Sequence, residues 1–324
     1  MMNKKEKILV TGAAGQIGSE LTPLLRERYG NIQVIASDIK TDIPSDLKDS
    51  GPFEHLDVLS NERLFEVVKK HRITLIFHMS AILSASGEQN PQHAWKVNIE
   101  GTRNILEISK DSEVKKLFIP SSIAAFGPST PREDTPQETI LRPNTVYGIT
   151  KVAGELLSNY YVARYKLDVR GCRYPGIISH KTLPGGGTTD YAVAIFYEAV
   201  RKKTYTCFVN KETMLPMMYM PDCLKATLDL MDANFKKLQH HADFNVAGMS
   251  FKVHELAREI KKHIPDFTIS YEPDYRQKIA DTWPRTIDDS AARQEWGWEP
   301  EYDLSSMTED MLKELRRRHQ ESGL

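Results

Sequence analysis

The first 125 residues alternate short apolar runs with longer segments in which apolar side chains recur every three or four positions. KILVTG (7–12), IQVIASD (32–38), ITLIFHMSA (73–81) and KKLFIPSS (115–122) are nearly continuous Val, Ile, Leu and Phe. Between them lie GQIGSELTPLLRERYG (15–30), SNERLFEVVKKH (60–71) and AWKVNIEGTRNILEISK (94–110), which have helical spacing. Strands apolar at every position are buried on both faces, and amphipathic helices between them supply the cover. The pattern predicts a doubly wound, parallel α/β sheet. Helix starts are marked by Ser60-Asn61-Glu62, ahead of a face bearing Leu64, Val67 and Val68, and by Pro91.

After Tyr174 the rhythm changes. Prolines, glycines and aromatics become denser in SHKTLPGGGTTDY (179–191), ETMLPMMYMPD (212–222) and QKIADTWPRTIDD (277–289). Helical segments continue between them as AVAIFYEAVRKK, CLKATLDLMDAN and KVHELAREIKKH. No linker or repeat interrupts the chain. We therefore expect a first domain over 1–178 and a smaller C-terminal α/β domain over 179–324, with part of 205–245 returning to the first. The basic helix end LKELRRRHQ reads as a solvated face.

Composition narrows the class. The chain has 324 residues, 40% hydrophobic and 27% charged, with a formal net charge of −1. That balance gives no reason to expect nucleic acid or an anionic membrane as partner. The apolar runs are too short to span a bilayer. Cys172, Cys207 and Cys223 form no paired motif, and an odd count points to reduced thiols. With the first strand starting near Met1, the expected location is cytoplasmic.

TGAAGQIG (11–18) joins a predicted strand to a predicted helix. Gly12 suits a tight turn, Gly15 lets backbone approach a pyrophosphate, and Gly18 lets helix and strand pack closely. The helix start then offers free N–H groups to phosphate. The spacing GxxGxxG is one residue longer in its turn than the usual fingerprint. Asp38 ends the next strand, where a carboxylate would bind a ribose 2′-hydroxyl and repel a 2′-phosphate, favouring NAD over NADP. Asp57 and Val58 fit an adenine contact; a cap or turn role fits Asp57 equally.

Tyr147 and Lys151, in YGITK, lie one helical turn apart. A tyrosine acting as base at neutral pH needs its pKa lowered, which a neighbouring ammonium and a nicotinamide charge would do. Ser121-Ser122, at the end of the strand in IPSSIAAFG, place a hydroxyl where parallel sheets hold their ligands.

Taken in order, TGAAGQIG, HMSAILSASGE, VNIEGT, SSIAAFG and YGITK resemble the extended short-chain dehydrogenase/reductases, the NAD-dependent epimerase/dehydratase family. FGPSTPRE, YPGIIS, PGGGTTDYAV, FYEAV and WPRTIDDSAARQEWGW are similar to one branch of it, the metal-free L-threonine 3-dehydrogenases. The resemblance spans nearly the whole chain. It implies a Rossmann domain, a homodimer, and oxidation of L-threonine to L-2-amino-3-ketobutyrate in threonine catabolism. It also implies Tyr147 as base, Lys151 on the nicotinamide ribose and Ser122 orienting the hydroxyl. Gln16 and Ile17 would join the glycines at the pyrophosphate. Met79, Ser80, Ala81, Asn98, Tyr174 and Ile177 would lie near the cofactor. Many relatives carry threonine at the position of Ser122; both offer a hydroxyl.

The glycine-rich loop 184–191 then reads as a substrate clamp. Gly186 lets bare backbone approach a small ligand, Thr188 and Thr189 suit a carboxylate, and Ser84 and Trp283 complete a pocket for a zwitterion. Asp190 fits either an ammonium contact or the cap of the following helix. A nucleotide-sugar 4-epimerase is the alternative on this fold. A dehydratase would want carboxylates beside the serine, and SSIAAFG has none. An intact Ser122, Tyr147 and Lys151 argue against a non-catalytic binding protein. His240-His241 lacks nearby cysteines and the chain has no HExxH, so no metal site is expected.

Overall fold

The computed structural model describes residues 6–183 and 185–321. Pro184, within the glycine-rich loop, lies outside them. The first half runs β1 (Ile8–Thr11), α1 (Gly18–Tyr29), β2 (Val34–Asp38), α2 (Ser45–Asp49), β3 (Phe53–His55), α3 (Asn61–His71) and β4 (Leu75–His78). It continues α4 (Ser84–Gln89), α5 (Pro91–Trp95), α6 (Gly101–Lys110), β5 (Lys116–Phe118), β6 (Ser121–Ser122), α7 (Val146–Tyr165) and β7 (Asp168–Arg170). Six of these strands form one parallel sheet in the order β3-β2-β1-β4-β5-β7. The order reverses between β1 and β4, and such sheets bind ligands at the carboxyl ends on either side of that switch.

Every residue of β1, β2 and β4 is buried, as continuous apolar runs require. Ile8 and Val10 pack with Leu21 and Leu25 of α1, whereas Leu9 between them packs with Leu64 and Val67 of α3 and Ile105 of α6. The two-residue period of the strand therefore feeds two separate cores. Each such side chain contributes roughly 1.5–3 kcal/mol on burial. α3 begins where expected, its first turn closed by Arg63 N–H donating to Ser60 Oγ (3.3 Å).

The second half adds β8 (Cys172–Tyr174), β9 (Gly176–Ile178), α8 (Tyr191–Lys202), β10 (Thr204–Cys207), β11 (Met214–Tyr219) and α9 (Met220–Asp232). It ends with β12 (Phe244–Asn245), β13 (Met249–Lys252), α10 (Val253–His263), β14 (Thr268–Tyr271), α11 (Tyr275–Ala280), α12 (Ser290–Trp296) and α13 (Leu304–Glu321). α8, α10 and α13 enclose a third core that takes in Tyr147 and Trp283. α9 turns back: Cys223, Ala226 and Leu230 pack into the core that holds Ile8 and Val10. Among the described residues no helix is long and apolar enough to cross a membrane.

One element departs from expectation. KKLFIPSS is not a single strand. β5 stops at Phe118, and Ser121–Ser122 pair instead with β8 in a small separate sheet. Pro120 explains the break, because it has no N–H to donate to the ladder. Beneath the break lies an ion pair: Arg173 Nε and Nη2 each donate to the Glu155 carboxylate at 2.9 Å, and Ser121 Oγ donates to the same group. Arg173 also reaches Gln137 O (3.0 Å) and Asn245 Oδ1 (3.2 Å), so it ties α7 to β8 and β12. Arg173→Met would leave the buried carboxylate without its cation. We expect a loss of about 3–5 kcal/mol in denaturant unfolding; a loss below about 1 kcal/mol would show that the pair is not a charged strut.

Candidate active site

The glycine loop fits a dinucleotide for steric reasons visible in the backbone. Gly12 has φ +67°, and a Cβ there would lie 2.7 Å from Ser80 N. A Cβ on Gly18 would fall onto the Gly12 carbonyl, so the helix approaches the strand only because neither residue has a side chain. No side chain caps the start of α1; Ser19, Glu20 and Leu21 N–H donate back to the Gly15 and Ile17 carbonyls, and the helix start faces the cleft through Gln16, Ile17 and Gly18. Asp38 shapes this loop directly: Oδ2 accepts from Ala14 N (2.9 Å) and Oδ1 from Lys40 N (3.0 Å).

Gly12, Gly15, Gln16, Ile17 and Gly18 open onto a cleft of about 990 Å³, together with Met79, Ala81, Tyr174 and Ile177. Four expected cofactor neighbours, Asn98, Ser80, Asp57 and Val58, do not line this cleft. Asn98 is a strut: its side chain accepts from Ile82 N (2.8 Å) and donates to Ile82 O and to Thr150 Oγ1 (both 3.1 Å). A π-helical turn over Lys96–Glu100, between α5 and α6, carries it. Ser80 faces a smaller adjoining pocket. Asp57 closes a turn by accepting from Leu59 N (2.9 Å), while Val58 is buried against Gly101.

Tyr147 and Lys151 occupy the first turns of α7, whose start is capped by Thr145 Oγ1 accepting from Gly148 N (3.1 Å). Both line the cleft with Ser122. Lys151 Nζ donates to Pro120 O (2.7 Å), the carbonyl freed from the ladder, and lies 5.5 Å from the Tyr147 ring centre. Burial pushes the Tyr147 phenol up to about 12, although its hydrogen bond with Ser122 pulls the other way. Burial likewise lowers Lys151 to about 8 against the attraction of Glu155. The expected activation of Tyr147 by the lysine is therefore not a property of the chain by itself. Ionising Tyr147 at neutral pH takes roughly 7 kcal/mol of anion stabilisation, which calls for further positive charge in the cleft.

The opposite wall is formed by the glycine-rich loop ahead of α8. Thr188 N donates to Ser84 Oγ (3.3 Å), and the hydroxyls of Thr188 and Ser84 are 3.1 Å apart, so the loop is docked on α4. Thr189 sits against Gly176 so closely that a Cβ there would overlap it. Gly187, Thr188, Thr189, Asp190, Ser84 and Trp283 line the cleft; Gly186 turns instead toward Ser86. Asp190 caps no helix: its Oδ2 accepts from Gly186 N and Gly187 N, both at 2.8 Å. Burial raises its pKa and these N–H groups oppose the rise. The root of the loop is fastened to α1. Gln16 Nε2 donates to Ile177 O (3.2 Å), Ser179 Oγ donates to Glu20, and the hydroxyls of Ser19 and Thr182 are 3.3 Å apart.

Sequence reasoning missed Glu155, Arg173 and the Pro120 carbonyl. Glu155 had a signal, since Tyr147, Lys151 and Glu155 are spaced four and four along one helix face. Because burial holds the phenol neutral, the tyrosinate absorbance that distinguishes the protein from its Tyr147→Phe variant is expected to appear only above about pH 11 without NAD. It should move to lower pH when NAD is added. Ionisation near pH 7 without NAD would show that the chain alone activates the phenol.

The NAD dependent epimerase/dehydratase family model matches residues 8–247. A curated relative from Staphylococcus haemolyticus, an uncharacterized epimerase/dehydratase, is 48% identical over 97% of this chain and 99% of its own. The structure of L-threonine dehydrogenase from Clostridium difficile is 50% identical, covering 97% of this chain and 98% of that one, with TM-score 0.94. A monomeric L-threonine 3-dehydrogenase from a metagenome is 51% identical over 96% and 99%, with TM-score 0.93. The chain belongs to the NAD dependent epimerase/dehydratase family, and the cofactor for which its glycine cradle is shaped is NAD.

Proposed function

We propose that this protein oxidises L-threonine at its β-hydroxyl, using NAD and no metal. One observation carries the choice of substrate. Among the described residues lining the cleft, Lys151 is the only lysine or arginine. A nucleotide-sugar diphosphate needs cationic partners of its own beyond the cofactor's helix start, and this cleft has none to offer. A small zwitterion needs only hydroxyls, N–H groups and a modest apolar wall, which Thr188, Thr189, Ser84 and Trp283 supply. The similarity to L-threonine dehydrogenases along nearly the whole chain supports the same reading.

NAD, when bound, supplies the acceptor for the hydride that leaves the β-carbon. Tyr147 takes the hydroxyl proton, Ser122 orients the hydroxyl, and Lys151 holds positive charge beside the phenolate. The docked loop keeps water from the reacting carbon. In this reading residues 1–178 bind NAD and 179–324 bind the substrate, with α9 packed back on the first unit.

The protein with L-threonine and NAD should generate NADH absorbance unaffected by chelator. Tyr147→Phe should lower turnover by at least about a hundredfold while NAD affinity stays within about twofold. No NADH from wild-type protein, or near-normal turnover in the variant, would refute this assignment.

We also propose a homodimer. Trp95 of α5 with Ile149, Leu156 and Tyr160 of α7 form an exposed apolar stripe, and Leu156 is 64% exposed. An apolar stripe of this kind suits a two-fold helix pairing. Sedimentation should give twice the chain mass, and Leu156→Glu should halve it; a wild-type monomer, like the monomeric relative, would overturn the pairing.

A further inference from the structure

A second, small pocket, with room for about one water, shares Lys151, Pro120 and Ser121 with the cleft and continues between β4 and α7. His78 and Ser158 complete it, and both are almost wholly buried. His78 Nδ1 is 2.8 Å from Thr11 Oγ1, but among the described residues His78 Nε2 and Ser158 Oγ have no hydrogen-bond partner. Two orphaned polar atoms in one pocket are costly if it is dry. The pocket also holds an ammonium with three donors, only one of which is assigned, to Pro120 O.

We infer that this pocket is an internal water site joining Lys151 Nζ to His78 Nε2 and Ser158 Oγ, with His78 and Ser158 as positioning residues for the lysine. The inference rests on the role proposed for Lys151 above. A water there accepts from the ammonium, donates to Nε2 and uses its remaining capacity on the serine hydroxyl, which is the number of partners a buried water requires. Nδ1–H then donates to Thr11 Oγ1. Burial and the nearby ammonium hold His78 down to about 3, so Nε2 remains an acceptor throughout the working range. The titratable groups around the lysine are Tyr147 and Glu155 of its own helix and His78 from β4. Arg173 of β8 faces it through Glu155. Neither His78 nor Ser158 touches the cleft.

The site is tested with Ser158→Val, which fills the space, beside Ser158→Ala, which removes only a hydroxyl without a protein partner. Expelling the water strips an acceptor from the ammonium, so the charged lysine is less favoured. The alkaline limb of kcat/KM for L-threonine should then move at least half a unit lower in Ser158→Val, about a threefold loss on that limb. A merely structural change would lower the rate at all pH values alike. A crystal structure of the NAD complex should show an ordered water about 2.7–3.2 Å from His78 Nε2. If wild-type protein proves inactive on L-threonine, the function assignment fails, and the water site is decided without it. Ser158→Val should then melt below Ser158→Ala, because two buried polar groups lose their partner. A dry pocket in the crystal, or a Val variant that melts at or above the Ala variant, would overturn the site.

Discussion

Helix α7 carries three polar side chains into the interior at successive turns, and the surrounding architecture answers the cost of burying them. Tyr147 meets Ser122, Lys151 meets the Pro120 carbonyl, and Glu155 meets Arg173 and Ser121. The partners come from the segment Pro120–Ser122 and from β8. A charge placed there without such a partner would cost several kcal/mol. The break in the sheet at Pro120 is therefore not an imperfection. It frees one carbonyl for the lysine and sets Ser121 and Ser122 to serve the carboxylate and the phenol respectively.

This arrangement leaves the phenol deliberately inert. A buried tyrosine with its pKa near 12 does not act as a base until charge arrives. The depressed lysine stands at the boundary between its two forms, so small changes in its surroundings alter how much charge it carries. The cleft thus brings together a phenol that burial holds neutral and an ammonium that burial weakens.

Most of the sheet was legible because strands buried on both faces leave continuous apolar runs, and β1, β2 and β4 each did so. The cradle was legible because Gly12 and Gly18 have no alternative at their contacts. Asp38 stands beside that cradle and accepts from one of its backbone N–H groups, that of Ala14. Asn98 was harder, because its partners, Ile82 and Thr150, are remote in sequence, whereas Asp57 is held locally by Leu59 N. Asp190 shows the limit well. Its position at the head of α8 suggests a cap, but the two N–H groups that hold its carboxylate belong to the glycine turn that precedes the helix.

The root of the clamp loop has a consequence for redesign. Ser179 and Thr182 hold on to Glu20 and Ser19, and Gln16 grips Ile177 from the pyrophosphate turn itself. The segment after β9 is thereby bolted to the glycine turn and to helix α1. Grafting this segment into a related scaffold will therefore keep its conformation only if Gln16, Ser19 and Glu20 travel with it as one module.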